Sequence, residues 1–116
     1  MDITMDITFV RPFSNKITVY SKSGCNNCDK VKMLLEDLVE NSRTCFTNND
    51  FSIVNCDKLL ENNKELFIYN IEQIIGKISW QFPLVFANGN FIGGFKQTLR
   101  YFDEKYLVEL DLNTDF

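Results

Sequence analysis

The spacing of apolar residues along the chain predicts strands that alternate with helices. Short runs of β-branched and aromatic residues predict strands at 16–20 and 51–56. A helical stripe at positions i, i+3, i+4 and i+7 follows the first strand, and its members are Val31, Leu34, Leu35 and Leu38. A second stripe follows the second strand, and its members are Phe67, Ile71, Ile74 and Ile75. The helix carrying it is predicted to begin with Asp57 as its N-cap and to end near Gly76.

The second half of the chain predicts a hairpin followed by a helix. Apolar runs at 82–87 and 91–92 flank Asn88-Gly89-Asn90, and Asn-Gly between apolar strands is a strong hairpin signal. After the hairpin, apolar periodicity predicts a last helix from Lys96 to Leu110. The order βαβαββα, with a right-handed parallel crossover in its first half, predicts an α/β fold with a mixed four-stranded sheet flanked by helices.

The chain is predicted to form one domain at 16–116, because no linker rich in proline, glycine or serine divides it. Residues 1–15 stand apart and begin with a short repeat, so they are predicted to form an extra edge strand or an arm. Apolar runs fall short of the about 18 residues that cross a membrane, and the N-terminus does not resemble a secretory signal. We therefore expect a cytoplasmic protein, in a compartment where stable disulfides are rare.

Composition narrows the possible chemistry. Twelve Lys and Arg against sixteen Asp and Glu give a net charge of −4, so an overall basic field for nucleic acid is absent. The 116 residues include no histidine, which removes Ser-His and Cys-His nucleophile pairs and His-rich zinc centres. The candidate reactive groups are then the four cysteines, which are Cys25, Cys28, Cys45 and Cys56.

Cys25 and Cys28 lie where the first predicted strand turns into the first helix. The unpaired N–H groups and partial positive charge of a helix N-terminus lower the pKa of a thiol placed there. Cys25 is therefore predicted to be the nucleophile and the more exposed of the two. Cys28, within one helical turn, is predicted to be the resolving thiol that attacks a mixed disulfide on Cys25. Lys22 adds a nearby cation that attracts an anionic substrate.

Two other interpretations of the pair stay open. A structural zinc site would need Cys45 and Cys56 as further ligands, although their spacing is not that of a second CxxC pair. Alternatively, both thiols are buried structural groups. The strand–helix context around CxxC favours the redox interpretation. Cys56 ends an apolar strand and is predicted to pack in the core, whereas Cys45 lies in a polar loop and has no assigned role.

From about residue 16 to 110 the chain resembles the glutaredoxins, members of the thioredoxin-fold superfamily. The resemblance rests on residues 17–25 before and within the CxxC motif, on Phe82-Pro83-Leu84-Val85-Phe86, and on residues 88–95. It implies a thioredoxin-like fold and a glutathione-dependent thiol–disulfide oxidoreductase that reduces protein disulfides or glutathionylated thiols. Glutathione is then the co-substrate, and no metal is expected. We expect a monomer whose partners are glutathione and disulfide-bearing or glutathionylated proteins, with no nucleic acid and no membrane.

The resemblance also implies a set of glutathione-binding residues. Pro83 matches the family's cis-proline, beside which the Phe82 backbone holds the cysteinyl part of glutathione. Lys22 matches a lysine that contacts a glutathione carboxylate. Gly93 and Gly94 match paired glycines that allow close approach beside the third helix, whose N-terminus faces the other carboxylate.

The chain departs from the family pattern around this site. Asn26 and Asn27 replace the proline and the aromatic residue that usually separate the cysteines. Lys96 and Gln97 stand where the family tends to bind the amino end of glutathione, and a cation facing an ammonium is unfavourable. Two alternatives therefore stay open: a thioredoxin-like disulfide carrier that does not use glutathione, and a dimeric [2Fe–2S] scaffold held through Cys25 and two glutathiones.

Overall fold

The computed structural model describes residues 9–41 and 44–107, with only the backbone described at 106 and 107. The elements are β1 (Ile17–Ser21), α1 (Asn26–Glu40), a 3-10 turn (Asn48–Asp50), β2 (Phe51–Asn55), α2 (Asp57–Ile75), β3 (Leu84–Ala87), β4 (Asn90–Gly93), α3 (Phe95–Phe102) and a π turn (Asp103–Leu107). The first half of the predicted arm and the end of the predicted last helix lie outside the described residues.

The four strands form one sheet in the order β2-β1-β3-β4. β1 runs parallel to β2, with Ile17 opposite Phe51, and antiparallel to β3, with Ile17 opposite Ala87. β3 and β4 form the predicted hairpin, whose turn residues Asn88 and Gly89 have φ of 52° and 88°. Two successive positive φ angles are the geometry for which Asn-Gly is favoured. The predicted mixed four-stranded sheet is confirmed.

Alternate residues of the two central strands point into two separate cores, one on each face of the sheet. The core under α1 and α3 contains Ile17, Val19, Val31, Leu35, Phe46, Val85, Ala87 and Phe102. The core under α2 contains Tyr20, Cys56, Leu59, Phe67, Ile71, Leu84 and Phe86. Both predicted helical stripes therefore face a core, and the packing role predicted for Cys56 is confirmed.

The described part of the N-terminal segment packs on the α2 side of the sheet. The Phe9 ring stacks on Tyr20 at 5.7 Å between centroids and lies 5.8 Å from Phe67. The Tyr20 hydroxyl donates to the Val10 carbonyl, and the Phe13 N–H donates to the buried Thr18 Oγ1 at 3.0 Å. Residues 9–15 contain no strand, and Phe9 packs against the α2 core.

Several predicted boundaries differ by one or more residues from those observed, most clearly around α2 and α3. The N-cap of α2 is Cys56, whose carbonyl accepts the Leu60 N–H at 2.9 Å, and β2 ends at Asn55, one residue earlier than predicted. Asp57 is the first residue of α2, and its carboxylate accepts hydrogen bonds from Ser23 in the loop after β1. The last helix begins at Phe95 and changes to a π turn after Phe102, so it is shorter than predicted as a regular α-helix.

Candidate active site

Cys25 and Cys28 form a disulfide at the start of α1, with Cα atoms 5.2 Å apart. Cys25 is the N-cap of the helix, and its Sγ accepts the backbone N–H of Cys28 at 3.1 Å. The helix N-terminus therefore directs an amide at the sulfur, as a stabilised thiolate requires. Cys25 is half-buried and Cys28 is fully buried, so the predicted order of exposure is confirmed. Their roles as nucleophile and resolving thiol stay predictions.

The loop before the pair is attached to the start of α2. The Ser23 N–H donates to Asp57 Oδ1 at 2.9 Å, and the Ser23 hydroxyl donates to Oδ2. These two hydrogen bonds, more than any other contact, hold the pKa of the Asp57 carboxyl below its ordinary value. β1 and β2 are parallel neighbours, so their C-terminal ends lie side by side at the same edge of the sheet. Asp57, just after β2, thereby links to the loop that follows β1. No local pattern in the sequence predicts this contact.

The opposite wall of the site is built around Phe82 and Pro83. The Phe82–Pro83 peptide bond is cis, as the resemblance implied, and Pro83 is fully buried. The half-buried Phe82 ring stacks on Phe67 at 5.5 Å between centroids. Lys22 Nζ lies 5.7 Å from the centroid of Phe82, within the range of a cation–π contact. The loop before Cys25 and the segment before Pro83 thus face each other across the site.

The glycine pair lets the start of α3 approach Pro83. Gly93 has φ of 127°, and a Cβ added there would lie 2.7 Å from Gln97 Cγ. Gly94 is the N-cap of α3, and a Cβ there would lie 3.5 Å from the Pro83 carbonyl oxygen. The Gly94 N–H donates to Gln97 Oε1 at 3.0 Å, so Gln97 caps its own helix.

Two adjoining cavities border the site. The first, of about 910 Å³, brings together Lys22, Cys25 and Phe82. The second, of about 540 Å³, brings together Phe82, Gly93 and Gly94. Cys28 lies behind Cys25, and Pro83 lies beneath the surface. Five residues, drawn from both sides of the cleft, line both cavities. They are Asn27, Lys30, Trp80, Gln81 and Phe82.

Several lining residues are not among those predicted from the sequence. Trp80 lines both cavities and contacts the Phe82 ring at 5.8 Å between centroids. Lys64 and Ile68 of α2 line the first cavity. Their i, i+4 spacing places them on one helix face, and this was a detectable signal. Trp80 gave a weaker signal, as an aromatic residue three positions before Pro83.

The other two cysteines stand apart from the pair. Burial, and then the nearby Asp57 carboxylate, raise the pKa of the Cys56 thiol to about 12, whereas Cys45 is exposed. Among the described residues, which include all four cysteines, no group of three or more His, Cys, Asp or Glu is placed to hold a metal ion. The four-cysteine zinc interpretation is therefore not supported. No helix within the described ranges is long and apolar enough to cross a bilayer.

Solved structures with a similar fold include several glutaredoxins. A dithiolic glutaredoxin from Trypanosoma brucei brucei is 29% identical, with a TM-score of 0.59 over 83% of this chain and 86% of that one. Oxidized glutaredoxin 2 from Chlamydomonas reinhardtii is 29% identical, with a TM-score of 0.54 over 86% and 82%. The holo form of glutaredoxin C1 from Populus tremula x tremuloides is 25% identical, with a TM-score of 0.57 over 86% of each chain.

No protein-family model and no curated protein matches the chain. The structural similarity identifies the fold as the thioredoxin-like fold of glutaredoxins. A CxxC pair at disulfide distance on this fold supports thiol–disulfide oxidoreductase activity.

Proposed function

We propose that this protein is a glutathione-dependent oxidoreductase that reduces protein disulfides or glutathionylated thiols through Cys25 and Cys28. The observation that carries the proposal is the hydrogen bond from the Cys28 N–H to Cys25 Sγ at 3.1 Å, at the mouth of the cleft. In the reduced protein this amide and the helix N-terminus stabilise a thiolate on the more exposed sulfur.

Reduction of a substrate disulfide proceeds in two exchanges. The Cys25 thiolate attacks one substrate sulfur, a Cys25–substrate disulfide forms, and the second substrate sulfur leaves and takes a proton. Cys28 then loses its proton and attacks Cys25 Sγ, which releases the first substrate sulfur as a thiol. The protein is left with the Cys25–Cys28 disulfide, and the substrate has gained two electrons and two protons.

Glutathione restores the dithiol. One glutathione thiolate attacks Cys25 Sγ, which releases Cys28 as a thiol and leaves glutathione on Cys25. A second glutathione attacks the sulfur of the first, so that oxidised glutathione leaves and the Cys25 thiolate returns. A glutathionylated substrate needs only Cys25, because its glutathione moves directly to that sulfur.

The groove offers groups for a thiol tripeptide. Under this proposal Lys22 attracts a carboxylate, and the backbone of Phe82 beside Pro83 pairs with the cysteinyl part. Gly93 and Gly94 let the ligand approach the start of α3 without a Cβ in the way. We place the protein in the cytoplasm, where glutathione is kept reduced, with disulfide-bearing or glutathionylated proteins as partners. A monomer suffices, since both cysteines come from one chain.

One observation favours a second candidate, a disulfide carrier reduced by another protein instead of glutathione. The Gly94 N–H, at the helix end expected to face a glutathione carboxylate, is already engaged by Gln97 Oε1. The adjacent exposed Lys96 adds a cation where the amino group of glutathione is expected. Turnover driven by a thiol reductase protein but not by glutathione would support this candidate.

The test is turnover of two peptides, one glutathionylated and one with an internal disulfide, with glutathione and its recycling system. Cys25→Ser is expected to abolish both activities, whereas Cys28→Ser retains only the first. Cys45→Ser is the matched control and is expected to retain both, because Cys45 lies outside the site. Circular dichroism verifies that each variant is folded. Turnover of either peptide by folded Cys25→Ser would overturn the proposal.

A further inference from the structure

The cleft at Cys25 extends from the residues proposed to bind glutathione toward α2. Phe82 lines both cavities, Gly93 and Gly94 line only the second, and Lys22 lines only the first. Cys25 and residues of α2 line only the first. The first cavity, about 910 Å³, is near the upper end of the roughly 300–1,000 Å³ that holds a drug-sized ligand. The α2 side therefore has room for a second group beside a tripeptide.

The α2 side of the first cavity is a short apolar stripe with a cation in its middle. Leu60, Lys64 and Ile68 line the first cavity, and together we call them the α2 wall. Lys64 and Ile68 are one turn apart on one helical segment, whereas Leu60 precedes a kink at Asn63. Leu60 and Ile68 are half-buried, so part of each side chain meets solvent in the cleft, whereas Lys64 is exposed. Trp80 and Phe82 extend the apolar surface across the cavity.

A kink in α2 positions Lys64 at the start of a new helical segment. Asn63 has non-helical angles, φ −159° and ψ 72°, and its Oδ1 accepts the Leu66 N–H at 3.1 Å. Asn63 thus caps the second segment as an N-cap residue does. Lys64, the residue after this cap, lines the first cavity, and the partial positive charge of the segment's N-terminus adds to the attraction of its ammonium for an anionic group.

The charge of the cleft is opposite to that of the whole chain. Lys22, Lys30 and Lys64 line the first cavity against a single acid among its described lining residues, Glu61. Two of the lysines make cation–π contacts. Lys22 Nζ lies 5.7 Å from the centroid of the Phe82 ring, and Lys30 Nζ lies 5.5 Å from the centroid of the Phe95 ring. The chain as a whole carries −4. A local basic cleft on an acidic protein selects acidic ligands.

We infer that the α2 wall binds the polypeptide next to the substrate disulfide, and that this segment carries an apolar side chain and an acidic one. The apolar side chain packs between Ile68 and Trp80, while the carboxylate approaches Lys64. The inference rests on the proposed exchange at Cys25 and adds to it a substrate class: disulfides in acidic, apolar segments of proteins.

Binding is measured first, without chemistry, by fluorescence anisotropy of labelled peptides whose cysteines are replaced by serine. One peptide carries Leu and Glu beside the serines, and a matched peptide carries Leu and Lys. The acidic peptide is expected to bind more tightly, and this preference is expected to shrink as salt is raised. Equal Kd values for the two peptides would overturn the inference.

The variant test uses two lysines of the same helix. Lys64→Glu is expected to weaken binding of the acidic peptide by about fivefold, because reversal turns an exposed ion-pair attraction into repulsion. Lys58→Glu makes the same charge change outside both cavities and is expected to leave Kd unchanged. An equal effect of the two substitutions would sink the assignment of Lys64.

Turnover separates this inference from the proposed function. Disulfide-bearing forms of both peptides, and the small substrate bis(2-hydroxyethyl) disulfide, are assayed with wild-type protein and glutathione. No turnover of any of them would overturn the proposed function, while the anisotropy result would still decide the binding inference. Turnover with equal kcat/KM for the acidic and basic peptides would agree with the proposed function but would overturn the inferred preference for acidic, apolar segments.

Discussion

Ser23 donates both its backbone N–H and its hydroxyl to the carboxylate of Asp57, 34 residues further along the chain. Ser23 lies two residues before the nucleophile expected at Cys25, and Asp57 is the first residue of α2. The contact therefore holds the loop before Cys25 against the helix that supplies the α2 wall.

Asp57→Asn is expected to lower stability at neutral pH, because the amide lacks the charge and one of the two acceptors. The pKa of Asp57 is lowered in the folded protein, so its contribution is fully present above the ordinary value of 3.8 and is lost as pH falls through the folded pKa. The difference in Tm between wild type and variant should therefore shrink below about pH 4. Asp37→Asn, on the exposed side of α1, is the control; the same pH dependence in both variants would contradict the prediction.

Cys56 is expected to resist alkylation in the folded, reduced protein. A rise in its pKa from 9.0 to about 12 lowers the thiolate fraction near neutral pH by about a thousandfold, and burial adds a steric barrier. Iodoacetamide treatment followed by mass spectrometry should find Cys45 modified and Cys56 protected. Both should react after unfolding in guanidinium. Native labelling of Cys56 as fast as Cys45 would show that the α2 core opens readily.

Gly93→Ala is expected to destabilise the protein by about 1–3 kcal/mol, because φ of 127° is a conformation that side chains with a Cβ rarely adopt. The new methyl would also meet Gln97 Cγ at 2.7 Å. Gly94→Ala is the matched control, since its Cβ would meet only ordinary contacts. Denaturant unfolding of both variants measures the difference, and equal losses of stability would refute the strain argument.

Phe67→Leu and Phe102→Leu are each expected to cost about 1–3 kcal/mol of stability, because both rings are buried. Only Phe67 stacks on Phe82, so only its loss is expected to lower kcat/KM for a glutathionylated peptide. The two variants are compared at a temperature where both are fully folded. The same kcat/KM in both would mean that Phe67 does not position Phe82.

Local patterns predicted the elements and their order well. The stripe Val31, Leu34, Leu35 and Leu38 predicted α1, and Asn88-Gly89 predicted the hairpin, because periodicity and turn chemistry act over a few residues. The placement of Cys25 at a helix N-terminus followed from the same local rules.

Contacts between distant segments were not predictable in this way. Asp57 was predicted to cap its own helix. The neighbouring end of β1 brings Ser23 within reach, and the Asp57 carboxylate accepts the Ser23 N–H instead of an N–H of α2. The kink at Asn63 was missed for a related reason. An asparagine side chain that bonds a nearby N–H competes with the helical backbone, and nothing in the apolar periodicity reports that competition.

Trp80 gives the cleft an optical signal of its own. It is the single tryptophan of the chain, it lines both cavities, and its ring meets those of Phe67 and Phe82 edge-on. Indole emission from the unmodified protein therefore originates at the groove and nowhere else. A titration followed by this emission reads occupancy of the cleft directly, with every wild-type side chain in place.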